Sequence, residues 1–137
     1  MNSNFTRIIT WVLRLLAAVI LLQTLYFKFS ASEESVYIFT TLNMEPLGRI
    51  GIGIMELIAS VLILYPRTTG IGSLLGLGLM SGAIFFHLTK LGFEVKNDGG
   101  QLFLYAVTVF LACNILAILH RQDLIDLNKS ILKKNAK

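Results

Sequence analysis

Apolar residues fall into four blocks, Thr10–Phe27, Gly48–Tyr65, Thr69–Thr89 and Gln101–His120. Each is near the ~20 residues that a helix needs to cross a bilayer. The pattern predicts one all-α domain over residues 1–137, an integral membrane four-helix bundle. Pro66-Arg67-Thr68 is a short turn, and short loops make consecutive helices antiparallel neighbours.

Two further segments carry amphipathic patterns. Between the first two spans, Ser32-Glu33-Glu34 reads as a helix start, because a serine hydroxyl caps free N–H groups and acids suit the positive end of a helix. Val36, Phe39 and Leu42 then fall on one side, predicting a short extracytoplasmic helix on the outer surface of the bundle. Asn43-Met44-Glu45-Pro46 ends it, since proline disfavours helix in the residue before it. After the fourth span, in the tail 121–137, Leu124, Leu127, Ile131 and Leu132 form a stripe among basic residues. That pattern predicts an interfacial helix. Asn97-Asp98-Gly99-Gly100 reads as a turn, because glycine and asparagine tolerate positive φ.

The first thirty residues have the outline of a secretory signal, ending at Ser30-Ala31-Ser32. Arg14 interrupts the apolar run, which then continues to Phe27, and three spans follow. An uncleaved first span is the expectation.

Composition strengthens the membrane reading. Hydrophobic residues make up 55% and charged residues 15%, where soluble domains carry about a quarter charged. Mean hydropathy is +0.71. The net charge of +4 is unevenly placed, which argues for topology rather than nucleic-acid binding. With four spans, Arg7, Arg14, Arg67, Arg121, Lys129, Lys133, Lys134 and Lys137 share the side of the termini. Lys28, Arg49, Lys90 and Lys96 lie on the other, among most of the acids. The positive-inside rule puts both termini in the cytoplasm, and the basic tail can lie on anionic lipid. The single cysteine, Cys113, lies in an apolar span and reads as a small core residue.

The remaining polar residues sort by depth. Ionisable groups deep in a bilayer cost about 2.5–3.5 kcal/mol each on insertion scales, so they pair and face inward. Glu56 is central in the second span. Arg14 and Asn114 lie at similar depth, which predicts an inner group of Arg14, Glu56 and Asn114. Lys28, Arg49 and His87 form an outer tier, with Gln23 and Lys90 nearby. The inner group reads either as a buried ion pair that fixes helix register or as a polar pocket or proton route. His87 and His120 sit at opposite depths, so bis-histidine haem is not expected, and no metal cluster is expected either. The third span carries two GxxxG pairs, Gly72/Gly76 and Gly78/Gly82, which predict close packing on more than one side.

Arg14 and Lys28 on the first span, Gly48-Arg49-Ile50-Gly51, Met55-Glu56-Leu57, Leu64-Tyr65-Pro66-Arg67 and the glycine-rich third span together resemble the DoxX family. Ala83 to Gly92 is similar to its DoxX-like branch. The resemblance covers about residues 8–119. It implies a bacterial-type inner-membrane bundle acting as a subunit or accessory of a quinone-linked or oxidative-stress redox system. It carries over Arg14, Lys28 and Glu56 as functional positions, quinone as a ligand, and a redox enzyme or a second copy as partner. The chain departs from the family at Gln23-Thr24-Leu25-Tyr26-Phe27, where small residues are usual, and it lacks a redox cysteine pair. Two alternatives stand beside this reading. One is a small transporter or binding protein for an anionic or proton-coupled solute; the other is a structural assembly subunit.

Overall fold

The structure is a computed structural model that describes residues 2–136; Met1 and Lys137 lie outside the described residues. Among the described residues all regular structure is helical. The order is α1 (Ser3–Phe29), α2 (Glu33–Thr41), α3 (Leu47–Leu64), α4 (Thr69–Phe86), α5 (Gln101–Leu119) and α6 (Arg121–Asn135). Helix α4 continues into a π-helical turn over His87–Leu91. Four of these elements, α1, α3, α5 and α4 with its π turn, are long and apolar enough to cross a membrane.

The four long helices form a ring in which α1 packs on α3 and α5, and α4 packs on α3 and α5. Its centre holds Ala17, Leu21, Ala59, Ile63, Met80, Val109, Cys113 and Leu116. The outward faces stay apolar, with Leu15, Val19, Ile54, Val61, Leu104 and Leu111 exposed. Apolar surface on this scale fits lipid contact better than water. Arg14, Ala17, Ala18 and Leu21 make up one face of α1 and are all buried. That helix starts at Ser3, earlier than the apolar block, because Asn4, Thr6 and Arg7 are polar without breaking a helix. At 27 residues and ~1.5 Å per residue it exceeds a ~30 Å hydrocarbon core.

Close approach on α4 rests on two of its glycines. A Cβ at Gly72 would sit 2.6 Å from the backbone nitrogen of Ile63, and one at Gly76 would sit 2.7 Å from the Cys113 sulfur. The backbone of α4 therefore lies directly against α3 on one side and α5 on the other. Gly78 and Gly82 behave differently, since a Cβ at either meets nothing within 4 Å.

At the end of the bundle away from the termini, α2 lies across α1, α3 and the π turn. The Ser32 hydroxyl accepts from the Ser35 N–H at 3.2 Å, which is the cap read from sequence. Helix α2 buries Ser35 and Phe39, and Leu42 just beyond it is buried as well. The loop between the π turn and α5 tucks in Val95. Its Lys96 ammonium bridges to Glu33 at 2.6 Å, tying the loop to the start of α2. At the opposite end α6 follows α5 directly. Leu124 covers Gly70, while Ile125, Leu127, Ile131 and Leu132 stay exposed.

Candidate functional site

Beneath α2 the bundle encloses a cavity of about 430 Å³ with walls from α1 to α5. Most of the wall is apolar, including Leu21, Phe39, Met80, Phe86 and Ala106. A few polar groups converge on it, which is the usual make-up of a small-molecule site.

The deepest of these is Glu56, midway along α3. Its side chain is 5% exposed, and Oε2 lies 2.9 Å from the Lys28 ammonium. The Thr24 hydroxyl is 3.1 Å from the same oxygen. Thr24 and Lys28 are one turn apart on α1 and so share a face. The single hydroxyl proton of Thr24 is shared with the Leu21 carbonyl at 2.8 Å, so the Lys28 ammonium is the carboxylate's principal donor. Pairing removes the cost of a lone charge in a low-dielectric wall. It also leaves Lys28 with protons that have no protein acceptor among the described residues.

His87 stands where α4 loosens into the π turn, a feature frequently found at functional sites. It is 6% exposed and lines the cavity. Nδ1 is 2.8 Å from the carbonyl oxygen of Gly92. A carbonyl only accepts, so Nδ1 carries a proton and donates it to Gly92, and Nε2 is the ring nitrogen left over for a ligand. Nε2 has no protein partner among the described residues. Phe103 meets the ring edge-on at 5.5 Å and holds its plane.

Two acids mark the cavity rim, Glu34 on α2 and Asp98 in the loop. Asp98 accepts from the N–H groups of Val95 (2.9 Å), Gly100 (2.8 Å) and Leu102 (3.0 Å), which caps the start of α5. Burial pushes its carboxyl up, but those three bonds and the nearby His87 outweigh it and hold the pKa below the ordinary aspartate value. Glu34 moves the other way: burial, and then the charge of Asp98, push its carboxyl up. Among the described residues, no three His, Cys, Asp or Glu side chains converge as a cation cage.

The expected inner group does not assemble. Glu56 pairs with Lys28 rather than Arg14. Arg14 instead donates from Nε to the Ile63 carbonyl at 2.8 Å and from Nη2 to the Leu64 carbonyl, and it lies over the Trp11 ring at 3.9 Å. Asn114 is exposed on the outside of α5. Arg49 is also spoken for. It donates to Glu45 at 2.9 Å and to the Lys28 carbonyl. Of the six expected residues, Lys28, Glu56 and His87 line the cavity, and Arg14, Arg49 and Asn114 do not.

Sequence reasoning missed Thr24, Glu34, Asp98, Gln101 and Tyr105 as cavity residues. Thr24 carried a usable signal, since it precedes Lys28 by one helical turn. Asp98 looked like turn chemistry alone, and it serves both roles. Gln101 and Tyr105 are joined at 2.7 Å at the start of α5.

No family model, curated protein or solved structure matches the chain.

Proposed function

We propose that the protein is a DoxX-like subunit or accessory of a quinone-linked redox system in a bacterial inner membrane. On this reading it spans the bilayer four times with both termini in the cytoplasm, and its cavity takes a quinone-type head group. The observation that carries it is the Lys28–Glu56 pair in the wall of a mainly apolar cavity. Lys28 supplies donor protons for a carbonyl oxygen. Across the site, His87 Nε2 offers a second polar contact to the ring's oxygens. The basic residues of α6 suit anionic lipid at the cytoplasmic face.

The anionic-solute alternative has less support. Inside the cavity Lys28 is balanced by Glu56, and Glu34 and Asp98 add negative charge at the rim. Arg49, counted on the outer tier, is consumed by Glu45 and a backbone carbonyl.

The test is ligand stabilisation of the purified protein. A benzoquinone bearing a decyl chain should raise the melting temperature of the wild type, because a ligand that binds the folded state shifts the unfolding equilibrium. The Lys28→Met/Glu56→Gln double variant should show little or no rise. Absence of any shift in the wild type would remove the quinone reading.

A further inference from the structure

Helix α4 has two kinds of glycine. Gly70, Gly72 and Gly76 each lie against a neighbour that a side chain would strike: Leu124, the backbone of Ile63, and Cys113 respectively. Gly78 and Gly82 have no such neighbour, yet both line the cavity. Glycine weakens a helix interior, because it surrenders the most backbone freedom on folding. At Gly72 and Gly76 close packing offsets that loss. At Gly78 and Gly82 nothing in the protein does. Gly51 on α3 is open as well but does not line the cavity.

The two open glycines are one turn apart on α4, so they form a shallow groove along one side of it. Ile52 of α3 and Leu79 and Phe86 of α4 add apolar wall. Gly78 is exposed and Gly82 half-buried, so the groove leads from the cavity toward the lipid-facing surface. Farther in, the cavity holds His87, more than nine-tenths buried with Nε2 lacking a protein partner. The site thus has a polar end at Lys28, Glu56 and His87 and an apolar exit along α4.

We infer that the ligand is a single-chain amphiphile of the membrane, with its neutral, oxygen-bearing head against Lys28, Glu56 and His87 and its chain leaving along Gly78 and Gly82. This rests on the head-group reading above and adds the chain and its route. A water-soluble solute would use the polar end alone and would gain nothing from the groove.

The experiment compares two probes, a chainless benzoquinone and its decyl derivative. Binding is read by native mass spectrometry and by melting temperature. The proteins are the wild type and a Gly78→Leu/Gly82→Leu variant. The open space at both positions predicts that this variant folds, which its helical circular dichroism checks, and Gly78→Ala/Gly82→Ala is the milder control. Burial of about two methylenes is worth roughly tenfold in affinity. The wild type should therefore prefer the decyl probe by about tenfold or more, and the leucine variant should lose that preference, binding the two probes about equally. An undiminished preference in the leucine variant, or no preference in the wild type, overturns the inference and leaves the head-group reading standing. If neither probe binds the wild type, both fall.

Discussion

Arg14 and Arg49 are reciprocal caps. Arg14 on α1 reaches the carbonyls of Ile63 and Leu64 at the end of α3, and Arg49 on α3 reaches the Lys28 carbonyl near the end of α1. The last carbonyls of a helix have no partner within it, and in an apolar surround each unmet one is costly. Two antiparallel neighbours thus each help to satisfy the other's end, alongside local donors such as Thr68 and Thr69 at α3. Lys28 connects this frame to the cavity, because its carbonyl accepts from Arg49 while its ammonium holds Glu56.

Replacing Arg14 by leucine should destabilise the fold by about 2 kcal/mol, the worth of hydrogen bonds from a charged donor. Arg14→Lys should restore little, since a compact ammonium lacks the planar fork that serves two carbonyls and stacks on Trp11. Denaturant titration in detergent measures both. Ligand binding by the folded fraction should be unaffected, because Arg14 does not line the cavity.

Much of this architecture was legible in the sequence, down to the Ser32 cap and the buried Cys113. The partner of Glu56 was not, for a physical reason. Sorting side chains by depth matched Arg14 to Glu56 and left helix-end carbonyls out of the account. The carbonyls of Ile63 and Leu64 at the end of α3 outcompeted the carboxylate for Arg14, and the flexible stem of Lys28 reached inward to Glu56. Asn114 failed differently. Helix α5 is apolar on every side, so periodicity gave no bearing on which face turns inward, and the packed face carries Ala106, Val109, Cys113 and Leu116 instead.

The Lys28–Glu56 pair separates a structural role from a binding role. Removing one partner leaves an uncompensated charge in the wall and should cost about 3–5 kcal/mol. Lys28→Met and Glu56→Gln together should recover most of that loss, giving a large coupling in a double-mutant cycle. A pair that only holds helices would leave the double variant fully functional in complementation. The cavity reading expects it to be folded and inactive.

The two kinds of glycine on α4 should respond to alanine with opposite sign. Gly72→Ala forces a methyl toward the backbone of Ile63, which has no flexible end to move aside. It should destabilise by about 1–3 kcal/mol, the usual cost of overpacking. Gly78→Ala enters open space and should stabilise by about 0.5–1 kcal/mol. Thermal unfolding of the two single variants, with helix content followed by circular dichroism, measures the difference.

Asp98 gives the loop before α5 a defined dependence on acid. Its folded pKa lies below the ordinary value because, against the upward push of burial, its carboxylate takes three backbone N–H bonds and feels His87. A depressed carboxyl pKa contributes stability that is fully present above the unfolded value, about 3.9, and is lost as pH falls through the folded value. The amides of Val95, Gly100 and Leu102 should therefore stay protected from hydrogen exchange near neutrality, relative to their intrinsic rates, and lose protection in strong acid. Asp98→Asn keeps an acceptor oxygen but removes the charge, so it should weaken that protection at neutral pH and flatten its acid dependence. Glu34 sharpens the comparison. Its carboxyl is pushed up by burial and by Asp98, so Asp98→Asn should bring the Glu34 titration back toward the ordinary glutamate range, read by carbon NMR of the labelled carboxyl. An unmoved Glu34 titration would show that burial alone sets it.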